Sequence, residues 1–162
     1  MHYSNLLHRT SFGLALGGGA PWLWPAFEAL HFLGMALLVG CVGLFDLRVL
    51  GVGKALPIAP LQSLMPWGAI GFVVNGVTGV GFYAGHPDAY QTWAFAAKIL
   101  FILLAGTNVL AFYASGLRRR LDSVGSGENA PLSAKLVAAG SLFLWFGVMF
   151  WGRMLPSFSQ SF

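Results

Sequence analysis

The sequence predicts an all-α fold: an integral membrane four-helix bundle with a short N-terminal interfacial helix. Of the 162 residues, 57% are hydrophobic and only 9% are charged, whereas soluble globular domains carry about 25% charged residues. The apolar residues also form four runs of about 20 residues, the length that an α-helix needs to cross a hydrocarbon core. This composition excludes an ordinary soluble enzyme, a disordered chain and a nucleic-acid-binding protein.

The four apolar runs are predicted to be helices because backbone polar groups in lipid must be paired within their own segment. Charged residues mark both ends of the first run, which lies between Glu28 and Asp46. The other runs cover about 61–84, 92–115 and 132–155. The predicted organisation is therefore an N-terminal interfacial segment over 1–20, a four-transmembrane-helix bundle over 21–156 and an outer C-terminal tail over 157–162.

The N-terminal segment is predicted to lie in the membrane interface rather than to act as a signal peptide. Three consecutive glycines at 17–19 interrupt its apolar stretch, whereas a signal peptide needs a continuous apolar core and a cleavage site. Residues 3–16 are predicted to form a short helix on the membrane surface. Its lipid-facing side chains are expected to be Leu6, Leu7, Phe12 and Leu14.

The basic residues predict the orientation of the bundle. Six of the nine Lys and Arg residues lie in or beside the first and third connections, and the second connection, AGHPDAYQ, contains none. Because cytoplasmic loops carry the excess of Lys and Arg, loops one and three are predicted to be cytoplasmic and both termini periplasmic. Asp46 and Arg48, at the inner end of the first helix, are interpreted as boundary anchors that form a salt bridge to loop one or three.

Ionisable residues converge on one layer near the outer ends of the predicted helices. They are Glu28 and His31 in the first helix, His86 at the end of the second, Lys98 in the third and Arg153 in the fourth. Ionisable groups inside a membrane are costly to bury and are functional candidates by default. The layer is therefore the candidate functional site.

The chemistry of this layer favours haem b as a cofactor. Neutral imidazoles are common axial ligands of haem iron, so His31 and His86 are the predicted metal ligands, with His8 and His2 as further candidates. Lys98 and Arg153 are expected to pair with the haem propionates. Glu28 is expected either to orient the His31 imidazole or to balance the charge of Lys98. Each histidine also has a structural alternative, a hydrogen bond between helices or a loop cap.

Four strings in the sequence also resemble a known group of proteins: EALHFLG, DLRVLG, AAKILFILLAGTNVLAF and SLFLWFGVMFWGR. Together, over residues 26–155, they resemble an uncharacterised family of small four-helix bacterial inner-membrane proteins with a DLR-x-LG motif. That family loosely resembles four-helix membrane b-type cytochromes and copper-resistance membrane domains. The resemblance implies a multi-pass protein of the bacterial inner membrane and supplies no activity. Because the chain lacks the pair of mid-helix histidines found in those cytochromes, the second ligand stays open.

The predicted function is electron transfer by a haem protein near the periplasmic face, with a periplasmic protein or a quinone as redox partner. An electron carrier need not be an enzyme, although an oxidoreductase activity is consistent with the same residues. Two alternatives remain: a small ion or metal transport component, and a structural or assembly subunit. Besides the lipid bilayer, the predicted partner is a second copy of the chain, since the glycines at 76, 79 and 81 offer a close-approach surface.

Overall fold

The computed structural model describes residues 6–158, and every regular element in that range is helical. Four long helices dominate: α1 (Leu23–Leu50), α2 (Met65–Gly85), α3 (Trp93–Ala114) and α4 (Leu132–Phe158). Each lies in a segment long and apolar enough to cross a membrane. The predicted all-α four-helix fold is therefore confirmed. After the predicted orientation, we call the end of the bundle that carries His86 the outer end and the opposite end the inner end.

The helix boundaries follow local signals. The hydroxyl of Thr92 accepts a hydrogen bond from the Phe95 amide and caps α3, which ends before Ser115, as the apolar run predicts. By contrast, α1 runs past both Glu28 and Asp46. It ends where Gly51 adopts a φ of 109°, a conformation that glycine reaches without steric cost.

The second apolar run is divided in two. Residues Ile58–Gln62 form a separate short helix, and α2 starts at Met65 with a proline in its first turn. Proline has no N–H to donate, so it is tolerated at a helix start but interrupts a helix that would run through it. Pro66 therefore explains why the predicted single span begins with a short helix and a turn. At the other end of the chain, α4 continues through Pro156 to Phe158, which places the first residues of the predicted tail in the helix.

The helices pack as two antiparallel pairs. The most extensive contacts join α1 to α2 and α3 to α4, and a smaller α1–α4 contact links the two pairs. In the first pair the backbones approach closely, since a Cβ atom on Gly71 would lie 2.5 Å from the carbonyl oxygen of Gly34. Cys41, the only cysteine of the chain, is buried in the same interface, facing Gly68. Small residues thus allow the close contact that holds membrane helices together.

Arg48 fastens the two inner loops to each other. Its side chain is only 2% exposed, and its guanidinium donates to the carbonyl oxygens of Leu56 in loop one and of Gly125 and Glu128 in loop three. Below it lies an apolar cluster drawn from α1, α4, the Ile58–Gln62 helix and the Leu117–Asp122 helix. Arg48 thus contacts both loops through their backbone carbonyls rather than through the salt bridge that the sequence predicts.

The N-terminal segment folds back over the outer end of α2. Residues 6–8 and Ser11–Leu14 are helical, with a turn between them, and a π-turn over Ala15–Gly19 contains Gly18 at a φ of 120°. Leu16 is 1% exposed and lies against the glycine surface of α2 at Gly81 and Gly85. The four side chains expected to face lipid are all exposed: Leu6, Leu7, Phe12 and Leu14.

Candidate functional site

Three histidines surround the outer end of α2. His31 reaches it from α1, His8 from the N-terminal segment, and His86 follows the last residue of the helix. The aromatic rings of Trp24, Phe27 and Phe82 fill the space among them. His2, a further candidate ligand, lies outside the described residues.

A hydrogen-bond chain fixes the tautomer of His31. Its Nδ1 lies 2.7 Å from the Thr78 hydroxyl oxygen, and that hydroxyl lies 2.8 Å from the Val74 carbonyl oxygen. Thr78 has one hydroxyl hydrogen, and the carbonyls of Val74 and Asn75, at 2.8 and 3.3 Å, can only accept it. When the hydrogen goes to these carbonyls, the Thr78 oxygen accepts from His31 Nδ1–H, and this is the one arrangement in which every contact is a hydrogen bond. The Nε2 atom of His31 therefore carries a lone pair. Thr78 is 3% exposed, so its geometry is held by packing.

His8 is held in the same way. Its Nδ1 lies 3.0 Å from the Ala84 carbonyl oxygen, and because that oxygen can only accept, Nδ1 carries the proton. The lone pair of His8 is again on Nε2. Two of the three histidines thus donate through Nδ1 to an acceptor on α2, the arrangement that metal-ligating histidines usually show.

His86 is separated from His31 by aromatic rings. The Trp24 ring meets His86 edge-on at 4.6 Å between centroids and lies 4.9 Å from Phe82, which in turn lies 5.3 Å from His31. The two histidines predicted as a ligand pair therefore share one layer without facing each other across a gap.

Two charged residues of the predicted layer lie close to other members of the outer end. Lys98 of α3 is half-buried against Gly152 of α4, and its ammonium is close enough to His31 for their charges to interact. Glu28 is exposed and interacts electrostatically with Tyr90. Burial, with the negative charge of Glu28 as a smaller cause, raises the pKa of Tyr90 to about 12. The Tyr90 hydroxyl therefore keeps its proton throughout the physiological range.

Arg153 stands apart from the histidines. It lies near the outer end of α4, next to the glycine that Lys98 contacts, and its side chain is exposed. Of the predicted site residues, His8, His31 and His86 are thus gathered around α2. Lys98 packs on α4 within electrostatic reach of His31, and Glu28 and Arg153 are exposed near the outer end.

The residue that the sequence analysis missed is Thr78. It is one of the few polar residues in the second apolar run, and this is a signal that could have drawn attention to it. What could not be read from the sequence is that Thr78 faces His31, because that contact depends on the rotation of α2 against α1.

Comparison of the chain with protein-family models, with curated proteins and with solved structures finds no match. The chemistry that the outer layer can support therefore has to follow from its own side chains.

Proposed function

We propose that the protein binds haem b in its outer polar layer and transfers electrons near the periplasmic face of a bacterial inner membrane. The observation that carries this proposal is the hydrogen-bond chain from His31 through Thr78 to Val74. It presents His31 as a neutral imidazole with a fixed ring and a lone pair on Nε2. Haem iron takes such a nitrogen as an axial ligand. The hydrogen bond that His31 donates through Nδ1 raises the basicity of Nε2.

The second axial ligand is assigned to His8, ahead of His86. The imidazole of His8 has the same Nδ1–H anchor on α2 as that of His31, whereas His86 packs edge-on against Trp24. His8 belongs to a segment that joins α1 through the turn at Gly18, so this ligand can adjust its position without distorting a membrane helix. His86 and a His8 from a neighbouring copy are the alternatives.

The charges of the layer suit the rest of the cofactor. A haem carries two propionates, which are costly to bury unless they are paired. Lys98 lies within electrostatic reach of His31, and Arg153 is exposed near the outer end of α4. These two cations would hold the propionates near the water boundary. When bound, the haem supplies a one-electron centre, with a periplasmic protein or a membrane quinone as its redox partner.

The donor set favours haem over a bare metal ion. Among residues 6–158, no three His, Cys, Asp or Glu side chains come together in a group that could hold a metal ion. A structural zinc site needs four protein ligands and a catalytic one three, whereas haem iron needs only one or two because the macrocycle provides the other four.

The test is to purify the protein in mild detergent from cells supplied with a haem precursor and to measure haem per chain as the pyridine haemochrome. We expect a Soret band that shifts on dithionite reduction, a loss of most haem in His31→Ala, and a smaller loss in His86→Ala than in His8→Ala. Full haem retention in His31→Ala would remove the leading ligand.

The same preparation distinguishes the two other functions. A wild-type protein without haem would contradict the proposal. Uptake of a metal ion into proteoliposomes by that colourless protein would then indicate transport, and copurification of other membrane chains would indicate an assembly subunit.

A further inference from the structure

A second polar site lies in the inner half of the bundle, between α1 and α4. Asp46 of α1 is 4% exposed and Ser141 of α4 is 6% exposed, and the Ser141 side chain is within hydrogen-bonding reach of the Asp46 carboxyl. The other carboxyl oxygen, Oδ2, is buried and has no hydrogen-bond partner within residues 6–158. An unpaired ionised carboxylate is so costly in such surroundings that the group normally becomes neutral instead.

The charged groups around Asp46 are engaged elsewhere. Arg48, two residues further along α1, points its guanidinium at carbonyl oxygens of the inner loops. On α4, Lys135 bonds to the Asn129 side chain, and on α3 the Asn108 amide donates to the Val137 carbonyl. The only titratable side chain of α2 is Tyr83, near the outer end of that helix.

Trp145 provides a second unpaired polar atom, one helical turn beyond Ser141 on α4. Its Nε1 is buried without a hydrogen-bond partner in the described range, and Trp145 follows Ser141 by four residues, so both side chains lie on one face of α4. Both Ser141 Oγ–H and Trp145 Nε1–H are donors, and donors stabilise a carboxylate rather than a carboxylic acid. The buried carboxyl thus has one donor within reach, on Ser141, and a second unpaired donor one turn away on the same face of α4.

We propose that Asp46 is a proton-binding site that exchanges its proton with the inner side of the membrane. In the resting protein the carboxyl holds the proton, and on release it becomes a carboxylate with the proton passing to water at the inner end. The exit is short, because Asp46 lies four residues before the end of α1 at Leu50, which is about 6 Å along a helix. The site is separate from the outer layer and does not rest on haem binding.

Reaction with a hydrophobic carbodiimide tests the proposal. Dicyclohexylcarbodiimide adds a protonated carboxyl across one of its C=N bonds, with the carboxyl oxygen bonding to carbon and the proton going to nitrogen, and the adduct rearranges to a stable N-acylurea. We expect mass spectrometry of the purified protein to find this adduct on Asp46, with labelling that declines as pH rises because only the acid form reacts. The water-soluble carbodiimide should instead label exposed carboxyls such as Asp88, Asp122 and Glu128.

Two variants complete the test. Asp46→Asn should lose the adduct and also the infrared carbonyl band of the protonated carboxyl, while keeping the elution volume and helical circular dichroism of the wild type. Trp145→Phe removes the Nε1–H donor and keeps an aromatic ring. It should raise the pH midpoint of labelling by about one unit, the equivalent of one hydrogen bond to a charged group, whereas Trp151→Phe should leave the midpoint unchanged.

Three results would overturn the proposal: no adduct on Asp46 at acidic pH in folded protein, equal labelling by the water-soluble reagent, or labelling that does not change with pH. Labelling that does not change with pH would mean that the Asp46 carboxyl never exchanges its proton. An unmoved midpoint in Trp145→Phe would remove Trp145 from the site.

Discussion

A single hydroxyl on α2 decides which nitrogen of His31 is open to a ligand. The Thr78 hydroxyl donates a hydrogen bond to the Val74 carbonyl oxygen and accepts one from His31 Nδ1–H. Without that acceptor, the imidazole loses both its preference for one tautomer and its fixed ring orientation. The chemistry of the outer layer is therefore controlled by a residue that would touch no cofactor itself.

The variant Thr78→Val tests whether the Thr78 hydroxyl orients His31, and this prediction rests on the proposed haem site. Valine has nearly the shape of threonine but offers no acceptor, so we expect haem affinity to fall about 10–100-fold, as for other hydrogen-bond partners of metal-ligating side chains. Thr78→Ser keeps the hydroxyl and should retain most of the affinity. Haem titration of the apoprotein gives the comparison, and equal affinities for the valine and serine variants would refute the role of the hydroxyl.

At the inner end, Arg48 is the residue on which the loops depend. Arg48→Met keeps an apolar stem but removes the donors to three loop carbonyls, so we expect the free energy of unfolding to fall by about 3 kcal/mol. Arg119→Met, at an exposed position of the Leu117–Asp122 helix, should change it by less than about 0.5 kcal/mol. Denaturation in mixed micelles measures both variants, and a similar loss for each would mean that Arg48 acts only through its charge.

At the scale of the helices, two glycines set how closely α1 and α2 approach. Gly71→Ala places a methyl group 2.5 Å from the Gly34 carbonyl oxygen and 2.7 Å from the Leu38 backbone nitrogen, neither of which can move aside. We expect a loss of about 1–3 kcal/mol from overpacking. Gly40→Ala on α1 is the matched control in the same helix pair, since nothing lies within 4 Å of the added atom. Denaturation under identical conditions should give a lower free energy of unfolding for Gly71→Ala than for the control.

Hydropathy predicts where the helices lie better than which helices pair. The third run was predicted almost to the residue because Thr92 and Ser115 bracket an uninterrupted apolar segment. The pairing of α1 with α2 and of α3 with α4 was not predicted, because it depends on small contact surfaces such as Gly34 with Gly71. In lipid every apolar face is equally well solvated, so periodicity does not reveal which face meets protein.

For the whole molecule, the orientation across the membrane is the first property to measure. In a Cys41→Ala background, Asp88→Cys in the outer connection should react with an impermeant maleimide added to spheroplasts, and Ser126→Cys in loop three should react only after permeabilisation. Both positions are exposed, and Asp88 is preferred to Ala89, which is 0% exposed. Labelling of Ser126→Cys from outside would reverse the assignment made from the Lys and Arg bias.

We also expect the chain to form a homo-oligomer through the open glycine surface of α2. Gly81 is used within the chain, where it packs on Phe27 and Leu16, whereas Gly76 and Gly79 have nothing within 4 Å. Gly79→Ile should therefore reduce the oligomer observed by native mass spectrometry from gentle detergent. Gly106→Ile, at an equally open position on α3, should not. A wild-type monomer would contradict this expectation.

The sequence predicts a common depth for the candidate site residues but not the contacts that the structure shows among them. Helical rise alone places His31, Lys98 and Arg153 in one layer, since it depends only on distance from the end of each run. The anchor of His8 on Ala84 needs the N-terminal segment to turn back at Gly18, and the ring of Phe82 beside His31 needs the rotation of α2. Both are long-range features that no local pattern encodes.

The burial of Cys41 gives the protein a built-in reporter. Its thiol lies between α1 and α2, with Gly68 on the opposite helix, so a reagent reaches it only when those two helices separate. The rate of thiol modification in the unaltered chain therefore measures how often that interface opens, because local opening and not chemistry limits access to a buried group. A ligand, lipid or partner that tightens the α1–α2 pair should therefore slow the modification of the Cys41 thiol.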